Sequence, residues 1–214
     1  MSRTNAEQKA CQLGRVRIKD FNPSAGIPYG CTVEHVCEAM NEFLSFLEFI
    51  NTQLHGSELP RLECFLMPAN FSSIVGEFMT ATLPKHCSAL VKNKHHNGHP
   101  DLLPKAKYPR DSVLHGAEGI EVKASRYARG WQGHNPESVW LMVFVFAANR
   151  ITDEPRNKPP VPFRFVKVVG AKLDESDWRY SGRSETSRRT ITASVTQSGF
   201  EKMEANWIYR APDE

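Results

Sequence analysis

Residues 119–125 read GIEVKAS, and their alternation sets the class of the chain. Ile120, Val122 and Ala124 fall on one side; Glu121, Lys123 and Ser125 fall on the other. That period of two predicts a strand with one apolar face and one polar face. Working outward, HPDLLP at 99–104 is a second short apolar segment, with Asp101 behind Pro100. VWLMVFVFA at 139–147 is a continuous apolar run, as expected of a strand buried on both sides, and FRFVKVVGAKL at 163–173 reads as a further strand. Between these two, NRITDEPRNKPPVP (149–162) is charged and Pro-rich, which predicts an exposed connection.

Ahead of Lys94 the period is helical. In TVEHVCEAMNEFLSFLEFINTQL (32–54), Val33, Val36, Met40, Phe43, Leu44, Leu47 and Ile50 recur at intervals of three and four behind Thr32, a fitting N-cap. This helix could offer its apolar face to a second copy, but a core role fits it better. NFSSIVGEFMTATLPKHCSALVKN (70–93) predicts a second helix, capped by Asn70 or Ser72 and interrupted at Pro84. The end of the chain, SGFEKMEANWIYR (198–210), predicts a short helix. The expected fold is α/β: a central mixed sheet flanked by helices, with a helical N-terminal part. It forms one domain, mainly helical over 1–92, a sheet core over 93–175, and a basic segment with a helix over 176–214.

With 214 residues the chain can bury a sizeable core, and a net charge of +3 leaves any attraction to phosphate to local clusters. Five cysteines, Cys11, Cys31, Cys37, Cys64 and Cys87, form no CxxC pair and read as reduced thiols. A zinc site from Cys31, His35 and Cys37 is conceivable, yet CTVEHVC lacks the short paired spacing of structural zinc sites. No leader-like or membrane-length apolar run is present, so a soluble cytoplasmic protein without a membrane partner is expected.

On a strand, Glu121 and Lys123 emerge on one face roughly 7 Å apart. If HPDLLP pairs with GIEVKAS as an antiparallel hairpin, through a loop from Pro104 to Gly119, Asp101 joins them. Two nearby carboxylates repel unless a cation or a proton relieves them. Mg²⁺ suits such a site because it takes few carboxylates and fills its shell with water and phosphate. An adjacent ammonium can orient or deprotonate an attacking water.

Pro100 and Asp101 followed by Glu121, Val122 and Lys123 resemble the PD-(D/E)XK nuclease superfamily. The helices-then-strands layout is similar to type II restriction endonucleases. The resemblance runs from about Ser72 to Leu173. It implies a restriction-endonuclease-like fold in which Asp101 and Glu121 bind Mg²⁺, the Val122 carbonyl adds a ligand, and Lys123 acts on the nucleophilic water. Glu77, on the helix ahead of the motif, matches by sequence order an acid that many members carry there.

The flanks suit DNA. Lys105, Lys107 and Arg110 lie beside the motif; Arg126, Arg129, Trp131, Gln132, His134 and Asn135 follow its strand; Arg183, Arg188 and Arg189 stand among hydroxyls further on. Cations neutralise phosphate, while Arg, Gln and Asn read base edges. His95, His96 and His99 could instead suggest a zinc or HNH-like site, but no second ligand group at helical spacing accompanies them; His99 is placed to contact substrate. Trp140, Trp178 and Trp207 read as packing aromatics. The expectation is a magnesium-dependent, sequence-specific endonuclease on double-stranded DNA, working as a homodimer. A repair or structure-specific nuclease, or a DNA-binding protein without cleavage, remain open alternatives.

Overall fold

The computed structural model describes residues 3–133, 138–153, 155–156, 158–180 and 193–212. Helices come first: α1 (Arg3–Ala10), α2 (Val33–Gly56), the single turn α3 (Leu62–Phe65) and α4 (Pro68–His86). Strands follow: β1 (Leu90–Lys92), β2 (Leu102–Pro104), β3 (Ile120–Ser125), β4 (Gln132–Gly133), β5 (Trp140–Ala147), β6 (Arg164–Lys172), β7 (Trp178–Tyr180) and β8 (Ala193–Val195). The chain then forms α5 (Gln197–Ala205) and β9 (Trp207–Arg210).

The main sheet has the order β1-β2-β3-β5-β6-β9 and is mixed. β3 and β5 run parallel, Ile120 beside Trp140 through Ser125 beside Val145, and the other neighbours are antiparallel. A second sheet, β4-β8-β7, lies apart from it. The apolar set of β3, Ile120 and Val122, packs with α2 and α4 into the larger core. Phe43, Phe71, Phe146, Phe163 and Phe165 cluster there at ring separations of 5.1–5.9 Å. On the other face, Leu141, Val143 and Val145 of β5 and Val169 of β6 meet Trp131, Trp178 and Met203 in a smaller core. β5 is therefore buried on both sides, as its unbroken apolar run requires.

Three local expectations are corrected. Helix α4 starts at Pro68, whose missing N–H costs nothing at the first helical position, so neither Asn70 nor Ser72 caps it. Pro84 sits within the helix near its C-terminal end and does not interrupt it. The tail is α5 followed by β9, which pairs with β6 through Lys167 beside Arg210, so the last segment belongs to the main sheet. Thr32 does precede α2, and its N–H donates to His35 Nδ1 at 3.1 Å, joining the first turn to its cap. α2 buries its apolar residues in the larger core.

The connection from β5 to β6 is exposed over most of its described residues, as expected, and Arg61, 2% exposed, anchors it. Its guanidinium donates to Asn149 Oδ1 at 2.8 Å and to the Val161 carbonyl at 2.9 Å. It also ion-pairs with Glu63 at 2.5 Å and with Glu7 at 2.9 Å. Asn51 completes the cluster, donating to Glu63 at 2.9 Å. A cavity of about 890 Å³ beside Arg61 is lined by none of the residues expected to act on DNA.

Candidate active site

β2 and β3 meet antiparallel at Leu102 and Ile120, through the loop from Pro104 to Gly119. Both residues point into the larger core, so the next pair along the hairpin, Asp101 and Glu121, faces the opposite side. The close approach depends on Gly119, whose φ is +146°. A Cβ there would lie 2.3 Å from both the Leu102 carbonyl and Pro100. Tyr29 fixes the same turn, its hydroxyl accepting the Gly119 N–H at 3.0 Å.

Buried Asn93 anchors the Asp101 side. Its N–H donates to the Asp101 carbonyl at 2.8 Å, and its amide nitrogen donates to Pro100 O at 3.0 Å and Val113 O at 2.8 Å. His99, joined to Pro100 by a cis peptide, is held at its backbone against residues 114–116. Nothing in the sequence signals Asn93 or Tyr29, because a single Asn or Tyr in a loop carries no periodicity.

The side chains converge. Asp101 Oδ2 accepts the Val122 N–H at 2.9 Å. In a strand the N–H and C=O of one residue point the same way, so the Val122 carbonyl also faces the Asp101 side. Glu121, 6% exposed, receives His99 Nδ1 on Oε2 at 2.9 Å and the Lys123 ammonium on Oε1. Burial alone would raise the Glu121 carboxyl; the His99 hydrogen bond and the Lys123 charge outweigh it and hold it down at about 2. Burial and the Glu121 charge together push Asp101 up to about 7, against the pull of the Val122 N–H and Lys123. Two adjacent carboxyls thus differ in protonation across neutral pH, and the second proton is the one that a cation would displace. The residues present fit a hard divalent ion: two carboxyls and one carbonyl on the same side of a hairpin.

The smaller core draws its main-sheet residues from β5 and β6, so the β2–β3 end of that face keeps access to solvent through Lys123 and His99, whose side chains are 27% and 18% exposed. Glu77 does not join the group. It is exposed on α4, paired with Lys92 of β1 at 2.8 Å on the helical side of the sheet, across from Glu121.

Among the expected DNA contacts, Lys105 and Arg110 are exposed on the loop beside the carboxyls. Lys107 pairs with Glu118 at 2.7 Å. Arg129 is exposed with its guanidinium over Phe200, and Gln132 is exposed on β4 beside Ser194. Two expectations are corrected. Trp131 is 4% exposed in the smaller core, its indole N–H donating to Tyr127 O at 2.9 Å, so it packs instead of stacking on a base. Arg126 turns inward over Phe71 and Phe146 and donates to the carbonyls of Ala148 and Asn149 at 2.7 and 3.1 Å. His134, Asn135, Arg183, Arg188 and Arg189 lie outside the described residues. His95 and His96 are exposed, and His99 pairs with Glu121, so no histidine metal site forms from these three among the described residues. Trp140 and Trp178 are buried, as a packing role requires.

Comparison with known proteins gives no match: no family model, no curated protein and no solved structure is significantly similar to this chain. Among the described residues, no helix is long and apolar enough to cross a membrane.

Proposed function

We propose that this chain is a magnesium-dependent endonuclease that hydrolyses phosphodiester bonds of double-stranded DNA, of the type II restriction endonuclease kind. The observation that carries the reading is the hairpin opposition of Asp101 to Glu121, with Lys123 on the same strand face and in contact with Glu121. Asp101 and Glu121, with the Val122 carbonyl, would hold the ion. Bound Mg²⁺ would polarise the scissile phosphate and stabilise the charge that develops on it. Lys123, whose ammonium contacts Glu121, would orient the attacking water and steady the negative charge that develops on it, while the proton leaving that water passes to solvent. His99 keeps the Glu121 carboxylate aimed along the strand. Lys105 and Arg110 supply charge for the neighbouring backbone. A homodimer would present one such hairpin to each DNA strand.

The test is incubation of the purified chain with unmethylated plasmid, with Mg²⁺ or with EDTA. Discrete fragments only with Mg²⁺ support a sequence-specific enzyme, whereas nicking or smearing supports a repair or structure-specific nuclease. No cleavage with any divalent ion contradicts the reading.

One observation favours a second reading. Glu121 is almost fully buried and already satisfied by the His99 imidazole and the Lys123 ammonium, as in a structural network that ties β3 to the His99 segment. In that case the chain binds DNA without cutting it, and Lys123→Ala lowers thermal stability with no activity to lose.

A further inference from the structure

Cys31 closes the turn ahead of α2, His35 stands in the first turn of that helix, and Cys87 caps the far end of α4. Their loops touch: a Cβ on Gly30, whose φ is +71°, would lie 3.5 Å from the Ala89 side chain. One sulfur or nitrogen from each of Cys31, His35 and Cys87 lies within 4.8 Å of the other two. The two cysteines are 5% and 1% exposed, and His35 is half-buried, so the cluster opens to solvent on the imidazole side. Cys37, the cysteine that sequence spacing pairs with Cys31, does not join them: its sulfur lies 3.9 Å from the Val16 carbonyl.

We propose that Cys31, His35 and Cys87 form a second metal site, which binds a thiophilic divalent cation of the zinc type with a water in the fourth position. The donor set excludes the hard ion proposed for the carboxyls, since two sulfurs and an imidazole select zinc-like ions over magnesium. About 3.8 Å separates two thiolates on a tetrahedral zinc ion with bonds of about 2.3 Å, so the three groups need only a small contraction from their present spacing. Burial and the neighbouring Cys87 thiol push Cys31 up to about 12, so the Cys31 thiol carries its proton in the metal-free chain. Binding therefore forms two metal–sulfur bonds and releases two thiol protons to solvent. His35 now accepts the Thr32 N–H on Nδ1, and ligation replaces that hydrogen bond. The site joins the start of α2 to the end of α4, the two helices that cover the larger core, so its ion acts as a structural staple.

The experiment is titration of the reduced, metal-free chain with Co²⁺, followed by thiolate-to-cobalt charge-transfer absorption and by the amide resonance of Thr32. One equivalent is expected to saturate the band, and zinc then bleaches it. The band is lost in Cys31→Ser and in Cys87→Ser and kept in Cys37→Ser and Cys64→Ser. His35→Gln weakens binding by about tenfold or more. Glu121→Gln retains the band, which separates this site from the proposed magnesium site. Circular dichroism of the apo variants shows whether each has folded, and retained binding in Cys37→Ser guards against a general loss of structure. Absence of the band in folded wild type, or its survival in both Cys31→Ser and Cys87→Ser, overturns the proposal. So does purification with a Cys31–Cys87 disulfide and no metal uptake after reduction.

Discussion

Asp101 and Glu121 are chemically the same group one hairpin step apart, yet their surroundings drive them in opposite directions. Asp101 faces burial and a like charge and stands at about 7; Glu121 has His99 and Lys123 and stands at about 2. The Asp101 carboxyl is raised, so its contribution to folding is present below the ordinary value of 3.8 and is lost as pH climbs through about 7. Glu121 is lowered, so its contribution is present above the ordinary 4.5 and disappears as pH falls toward about 2. A cation at this pair competes with the Asp101 proton. The melting temperature should therefore rise with Mg²⁺ at about pH 8 and hardly change at about pH 5, as scanning fluorimetry would register. In Asp101→Asn, Mg²⁺ should have no effect at either pH. An equal Mg²⁺ shift in that variant would place the ion elsewhere.

At the scale of elements, Arg61 shows how the helical half is fastened to the sheet. It ties Glu7 of α1, Glu63 of α3 and the β5–β6 connection at Asn149 and Val161. Arg61→Ala would strand the Glu63 carboxylate, which is fully buried, and should destabilise the fold by about 3–5 kcal/mol in urea unfolding. A loss below about 1 kcal/mol would show that the cluster is weakly coupled to folding.

The elements also show what could be read in the sequence. The alternation in GIEVKAS gave β3 its two faces, and the apolar run at 139–147 gave the doubly buried β5. The hairpin of β2 with β3 followed from placing two short apolar segments around one loop. β9 was hidden because WIYR is four residues long and follows a helical stretch, and only the open edge of β6 explains its pairing. Arg126 and Trp131 looked like DNA contacts because local composition cannot tell a guanidinium or indole turned inward from one facing solvent. Glu77 has the right order in the chain but the wrong side of the sheet, which sequence distance cannot reveal. Asn93 and the Cys31–Cys87 approach depend on contacts across turns, and these leave no pattern in a single sequence.

For the whole molecule, the C-terminal residues are part of the fold rather than an appendage. β9 extends the main sheet, Met203 of α5 is fully buried in the smaller core, and Phe200 packs against Trp131 at 5.6 Å. A chain ending at Thr196 should lose cooperative thermal unfolding and expose apolar surface to a dye that binds it. A sharp transition near that of the full chain would mean that the main sheet closes without β9.

The chemistry proposed for Asp101, Glu121 and Lys123 is tested by plasmid cleavage by wild type and Lys123→Ala in Mg²⁺, with DNA binding measured in parallel in Ca²⁺. Wild type should cut, and Lys123→Ala should bind with similar affinity while cutting at least about 100-fold more slowly, the scale of a lost donor to developing charge. Equal cleavage by the two proteins would exclude Lys123 from the reaction.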